Sequence, residues 1–489
     1  MYLSLQFNSL PLIVITIYNL CLILLAYYTF AEILLLIGYF FKRNRPFTQA
    51  SSSDLPTLTV QLPIYNERAV VEQLLTAVFA LQYPADRLTI QILDDSTDET
   101  TQLIQQMLKL STSDATVQHI RRPNRVGYKA GALTYGMTQS VTDYYAIFDS
   151  DFIPAPSFLL EIFPYLLEDS RLGMVQGRWG HSNPYDNALT QAQSLLIDLH
   201  FEIEQTGRSS MGLLHNFNGS AGVWRAECIH QSGGWSAATL TEDLDLSYRA
   251  QLNGWKMRTV SSLVVPAELP ASMTAYKQQQ RRWALGSTQC LQLHLVSVWK
   301  AKHLSLFQKI MASIHLGQYL PQPAIFTLLL VTPLALQLGL LDEAWGLPGI
   351  LGFLLPLMLI ISQRPNADGW RRLLAFPMTT VLGTGLTLNN SLAFIAAFFS
   401  HDVEFQRTPK QGQRKAISDY RIGANLMVVA ELVMGIYLLF GAWLALEKNI
   451  LMLPHMFITG ISYLIIALWT LWDNRRPTVE LIRRVSPTH

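Results

Sequence analysis

From Leu10 to Phe41 the chain is an almost unbroken apolar run, and it ends in Lys42-Arg43-Asn44-Arg45. Sequence of that length can hide its backbone polar groups from lipid only as a helix. It is too long for a signal-peptide core and no small-residue cleavage site follows, so it is expected to remain as a membrane helix. The basic cluster puts its C-terminal end in the cytosol. Glu32, inside the run, is expected to pack against other helices near the inner boundary. Half of the 489 residues are hydrophobic and 15% are charged, which excludes an ordinary soluble enzyme of this size. A net charge of +1 argues against a nucleic-acid partner.

The apolar character returns after residue 300, with spans expected at 312–338, 347–361, 424–446 and 450–472. The stretch 370–399 is apolar but carries Arg371, Arg372, Asn389 and Asn390. If it crossed, the loop bearing Arg407, Lys410, Arg414, Lys415 and Arg421 would lie outside, against the positive-inside bias. It is therefore expected to lie along the inner interface or to enter and return, giving five crossings. The expected organisation is a membrane helix in 1–45, a cytosolic domain in 46–300 and a membrane region in 301–489. The cytosolic domain would include an interface helix at 272–295.

The middle segment alternates strand-like and helix-like pieces. Leu58–Leu62, Leu88–Leu93, Val117–Ile120 and Tyr144–Phe148 read as strands, and Ala69–Leu81 reads as a helix. This pattern predicts a three-layer α/β domain with a mostly parallel sheet, whose ligands gather at the carboxyl ends of the strands. Chemistry-bearing residues stand at those ends. Tyr65-Asn66-Glu67 offers a ring and a carboxylate for a nucleobase, or simply a helix cap at Asn66. Asp94-Asp95 ends the second strand, with Asp95 or Ser96 as a possible cap. Asp149 and Asp151 follow the fourth strand at a spacing of two, and such carboxylates are held close most easily around Mg2+ or Mn2+.

Lys129 stands at a helix start, where an ammonium suits a diphosphate. Phe217-Asn218-Gly219 begins a small-residue stretch suited to a sugar ring. Thr241-Glu242-Asp243 opens a helix. Asp243 is the candidate for the base that takes an acceptor hydroxyl proton. Gln279, Arg282 and Trp283 fall on one helical face, where arginine can bind diphosphate and tryptophan can stack on a sugar.

Taken in order, these residues resemble the family 2 inverting membrane glycosyltransferases of the cellulose synthase superfamily. The matching series is Asp94 or Asp95, Asp149/Asp151, Thr241-Glu242-Asp243 and Gln279/Arg282/Trp283. Phe217 to Arg225 is most similar to the cellulose-synthase-like A and C branches, the mannan and glucan synthases. The resemblance implies a GT-A-type α/β domain inserted between transmembrane helices. It implies that Tyr65, Glu67, Asp94, Asp95, Lys129, Asp149, Gln279 and Arg282 bind the nucleotide sugar and that Asp149 and Asp151 hold the metal. Asp243, with Glu242, would serve catalysis, and Trp283, Phe217, Asn218 and Gly219 would meet the acceptor. Phe405, Arg407, Thr408 and Lys410 would form a gating loop within 400–422.

The expected partners are a nucleotide sugar, a growing polysaccharide and membrane lipid, with partner subunits open. The expected setting is a plasma or inner membrane with the catalytic domain in the cytosol. Processive polymerisation of hexose from UDP-glucose, or next from GDP-mannose, with export of a β-linked chain, is the favoured reading. The alternative is a single transfer to lipid by a ceramide-type glucosyltransferase.

Overall fold

The computed structural model describes residues 2–41, 55–111, 113–341, 354–399 and 421–485. Seven strands form one sheet: β1 Leu58–Ile64, β2 Leu88–Asp94, β3 Thr116–Ile120, β4 Tyr144–Ile147, β5 Leu172–His181, β6 Gly222–Arg225 and β7 Lys256–Ala267. Their order is β3-β2-β1-β4-β6-β5-β7. Strands β1 to β4 run parallel, β6 is antiparallel to both neighbours, and β7 is parallel to β5. The domain is thus the expected mixed, mostly parallel sheet. The four strands expected from sequence are present within two residues at each end, and the expected helix at Ala69–Leu81 is Val71–Phe79.

Alternation along β1 does not mark a solvent face. Leu58, Val60 and Leu62 enter the main core, while Gln61 and Gln91 on the other face are also fully buried. Gln61, Gln91 and Gln118 are in register across β1, β2 and β3. Gln61 donates to Gln91 Oε1 at 3.0 Å, and Gln91 to Gln118 Oε1 at 3.0 Å. Both also donate to carbonyls of the helix Tyr128–Thr138, which covers this face. A buried amide is tolerable only with such partners.

Three described helices are long and apolar enough to cross a membrane: Ser9–Phe40, Leu426–Lys448 and Ile450–Asn474. The expected span at 312–338 is instead Leu306–Leu316 and Pro321–Gln337, bent by 62°, and counts as a crossing only if the pair is one span. Of the expected span at 347–361, residues 347–353 lie outside the described residues. The remainder lies in the helix Leu354–Ser362. Met358, Leu359 and Ile361 pack with Leu189, Ala192 and Leu195 of the domain, while Leu355, Leu357 and Ile360 are exposed. The described residues thus contain three candidate spans, or four if the bent pair is one span, beside the five crossings expected of the whole chain. The stretch 370–399 breaks into short helices of at most ten residues. Glu32 lies beside Glu204 and Arg208 of the domain, as its expected inward packing requires.

One buried carboxylate ties the domain to the C-terminal part. Asp198, at 0% exposure, accepts at Oδ1 from Arg178 at 3.1 Å and meets His181 Nε2 there at 3.0 Å. Arg372, Gln363 and Asn366 donate to Oδ2 at 3.0, 3.1 and 2.9 Å.

Candidate active site

Because β1, β2 and β4 are parallel, their carboxyl ends reach the same edge of the sheet, and one cavity opens there. Tyr65, Glu67, Asp95, Lys129, Asp149, Asp151, Asn218, Gly219, Glu242, Asp243, Gln279, Arg282 and Trp283 all line it. Residues drawn from over two hundred positions of sequence converge on a single surface. Strand β4 is wholly buried and stops at Ile147, so Asp149 and Asp151 sit in the turn beyond it. The Asp149 N–H donates to Ser220 Oγ at 2.9 Å, fixing that turn against the stretch before β6.

The opposite wall comes from two helices. Glu242–Leu252 brings Glu242 and Asp243 in its first turn, and Met273–Lys300 brings Gln279, Arg282 and Trp283. These helices approach closely through Gly286, where an added Cβ would lie 2.6 Å from Thr241 Cγ2 and 3.0 Å from Thr241 N. That contact sets Arg282 opposite the acids. The Arg282 guanidinium is pulled below its ordinary range by burial, and the charges of Glu242, Asp149, Asp243 and Asp151 oppose that shift. All four carboxylates therefore act on one arginine.

Lys129 stands among the same acids. Its Nζ donates to Asp149 Oδ1 at 2.6 Å and to the Gly219 carbonyl at 2.8 Å, and lies 3.8 Å from Glu242. Burial would discharge the ammonium, but Asp149 and Glu242 outweigh it and raise its pKa. Burial, and then the charge of Glu242, push the Asp243 carboxyl up to about 7, against the pull of Lys129. A carboxyl poised there is a competent proton acceptor near neutral pH. Gly219 has a φ of +89°, and a Cβ there would stand 2.9 Å from Asp243 Oδ2 and 3.4 Å from Lys129 Nζ. Only glycine fits between base and lysine.

Divalent-ion binding is compatible with this chemistry. Four carboxylates face two cations, Lys129 and Arg282, so negative charge is in excess. Among the described residues no group of three or more His, Cys, Asp or Glu could by itself hold a metal. Asp149 and Asp151 would supply two oxygen ligands, leaving the rest to diphosphate and water, the usual arrangement for Mg2+ or Mn2+.

Several expected residues fall elsewhere. Asp94 is 1% exposed and does not line the cavity. It accepts from Thr101 Oγ1 at 2.8 Å and the Ser96 N–H at 2.9 Å and meets His119 at 3.0 Å. Burial favours its protonation, yet these hydrogen bonds hold it below the usual range. It braces the end of β2 from outside the cavity. Phe217 is 0% exposed and packs edge-on against Trp224 at 5.7 Å, so it belongs to the core and not to the acceptor surface. Asn66 caps no helix; it adopts φ +55° and accepts from the Thr97 N–H at 2.8 Å. Neither Asp95 nor Ser96 caps the next helix, whose N-cap is Glu99. Thr241 is an N-cap without a side-chain cap hydrogen bond. Phe405, Arg407, Thr408 and Lys410 lie outside the described residues.

The cavity also contains Arg125, Tyr128, Trp179 and Glu268, which the motif reading did not assign. Arg125 stood in view, in the run Arg121-Arg122-Pro123-Asn124-Arg125 after the third strand. A basic cluster at a strand end was the signal.

The sheet order and the helices that cover it define a GT-A-type α/β fold, with acids, an arginine and a tryptophan gathered at one cavity. Residues 56–286 match the family described as Glycosyltransferase like family 2. Glucomannan 4-beta-mannosyltransferase 9 of Arabidopsis thaliana is 39% identical over 267 residues, covering 54% of this chain and 50% of the relative. Probable glucomannan 4-beta-mannosyltransferase 4 of Oryza sativa subsp. japonica is 42% identical over 266 residues, 51% and 48% of the two chains. The chain thus spans about half the length of these curated relatives, and it resembles the cellulose-synthase-like A branch, as its motifs indicated. Among solved structures, a mannosyltransferase of Pyrobaculum calidifontis in complex with GDP-Man and Mn2+ superposes with a TM-score of 0.55 at 18% identity. The match covers 78% of this chain and 99% of that one and shows a shared fold.

Proposed function

We propose that this chain is an inverting, processive β-mannosyltransferase that polymerises hexose from GDP-mannose into a β-linked polysaccharide and passes it through its membrane helices. The relatives' names, 4-beta-mannosyltransferases, and the Pyrobaculum calidifontis neighbour's complex with GDP-Man support GDP-mannose ahead of UDP-glucose, the donor first expected. One observation carries the reading. Asp149, Asp151, Glu242, Asp243, Gln279, Arg282 and Trp283 share one cavity although nothing but the fold brings them together.

In this mechanism Trp283 stacks on the terminal sugar of the acceptor and aims its hydroxyl at the donor C1. Asp243 takes the hydroxyl proton as the new C1–O bond forms and the bond from C1 to the diphosphate breaks. GDP leaves from the opposite face, so an α-linked donor gives a β-linked product. Arg282, with Gln279 beside it, steadies the departing diphosphate. A divalent ion held by Asp149 and Asp151 would supply charge neutralisation of that diphosphate when bound. Lys129, held on Asp149 and the Gly219 carbonyl, adds positive charge on the same side of the cavity. The domain would face the cytosol of a plasma or inner membrane.

The test is incubation of the purified full chain with GDP-mannose or UDP-glucose and Mg2+ or Mn2+, with linkage analysis of the product. A mannan cut by an endo-β-mannanase is expected. Transfer of one sugar to a lipid would replace the polymerase reading with the ceramide-type one, and no transfer from any donor would end both.

A further inference from the structure

The loop between β3 and the helix Tyr128–Thr138 is built on an ion pair. Arg122 grips Asp95 through Nε at 2.7 Å and Nη2 at 2.5 Å. The same guanidinium donates to the carbonyls of Val126 at 2.6 Å and Tyr128 at 2.7 Å. Asp95, at the end of β2, thus anchors the loop through its partner. The loop in turn lays Arg125 on Tyr65. The guanidinium carbon is 3.4 Å from the centre of the Tyr65 ring and 5.0 Å from that of Tyr128. Arg125, Tyr65 and Glu67 all line the cavity. A guanidinium stacked at that distance uses its face for the ring and keeps its N–H groups in its own plane. Tyr65 and Glu67 are the residues expected at the nucleobase. Arg125 is therefore placed to meet a base by its edge.

We infer that Arg125 selects a guanine nucleotide, donating two in-plane N–H groups to O6 and N7 while Glu67 accepts from N1–H and the 2-amino group. This rests on the nucleotide-sugar reading above and adds the residue that reads the base. Guanine presents two neighbouring acceptors on one edge, which an arginine fork matches bidentately. On another edge it presents two neighbouring donors, which one carboxylate matches. Uracil offers a single N–H between two carbonyl oxygens. The fork then finds one acceptor where it needs two, and the carboxylate meets oxygens. A site built to satisfy such pairs rejects a ligand that leaves them unpaired. Lys129 is not the selector, since its ammonium is committed to Asp149 and the Gly219 carbonyl.

Titration calorimetry of the full chain in detergent with Mn2+ tests this, using GDP, UDP and 7-deaza-GDP, which lacks the N7 acceptor. The wild-type protein should bind GDP at least about tenfold more tightly than UDP, and 7-deaza-GDP should bind several-fold more weakly than GDP. Arg125→Ala should lose about tenfold or more for GDP and little for UDP, and should no longer distinguish 7-deaza-GDP from GDP. Arg125→Lys, which keeps the charge without the fork, should behave like the alanine variant. An unchanged GDP/UDP ratio in both variants, or equal affinity of the wild-type protein for GDP and 7-deaza-GDP, overturns the role of Arg125 alone. A wild-type preference for UDP overturns guanine selection. Binding of neither nucleotide overturns the nucleotide-sugar reading itself. The 7-deaza comparison needs no variant and so is independent of folding defects.

Discussion

Asp243 concentrates the chemistry of the site, because burial and Glu242 raise its carboxyl to about 7 while Lys129 restrains the shift. A proton acceptor must be ionised to act, so kcat/KM should fall about tenfold per pH unit below about 7 and level off above it. The pH–rate profile of mannosyl transfer reads this directly, and a profile flat down to pH 5 removes Asp243 from the role. Stability carries the matching sign. The folded state holds this proton above the pH at which the unfolded carboxyl releases it, so Asp243 costs stability increasingly as pH rises toward about 7 and no more beyond. Asp243→Asn should lower transfer by about 100-fold or more while GDP still binds. Gly219→Ala is the steric counterpart. Its methyl group meets Asp243 Oδ2 at 2.9 Å on a backbone with φ +89°, so activity should be lost with the fold intact, checked by transfer assay beside circular dichroism.

At the scale of elements, the interface helix Met273–Lys300 is held from several sides, and the site depends on its register. Met273 and Tyr276 share a core with Leu189, Met358 and Ile466, joining domain and membrane helices. Beside that core lies Asp198, surrounded by Arg178, His181 and Arg372. Its removal would strip a shared acceptor from all three, while Glu202 and Asp368 still pair with the two arginines. Asp198→Ala should therefore destabilise the protein by about 1–3 kcal/mol. Thermal unfolding in detergent measures this, and a melting temperature equal to wild type would show that Asp198 carries little of the junction. Motif reading missed this knot because its members, at 178, 181, 198, 363, 366 and 372, have no spacing that marks them as neighbours.

For the whole molecule, the apolar–polar–apolar partition of the sequence pointed to a polar domain between helices apolar enough to cross a membrane, since lipid admits only backbones with satisfied hydrogen bonds. Hydropathy alone does not say which neighbour an apolar helix meets: in Leu354–Ser362, Met358, Leu359 and Ile361 pack against the domain while Leu355, Leu357 and Ile360 stay exposed. Cysteine labelling of residue 412 in intact cells tests the side on which 400–420 lies. Protection from an impermeant reagent is expected, and ready labelling would place that loop outside.

Sequence alone determined the parallel strands and the acids at their carboxyl ends, because side-chain periodicity and strand-end chemistry are local properties. It also determined the order of the motifs. Which of two adjacent acids faces the cavity was a tertiary matter. Asp94 turned into Ser96, Thr101 and His119, while Asp95 turned toward Arg122 and the loop of Arg125, a difference set by packing around β2. The same holds for Phe217 beside Asn218, where alternation sends one ring into the core and leaves the next residue at the cavity. Tertiary structure decides these cases because burial and partners, which fix a side chain's role, come from parts of the chain far away in sequence.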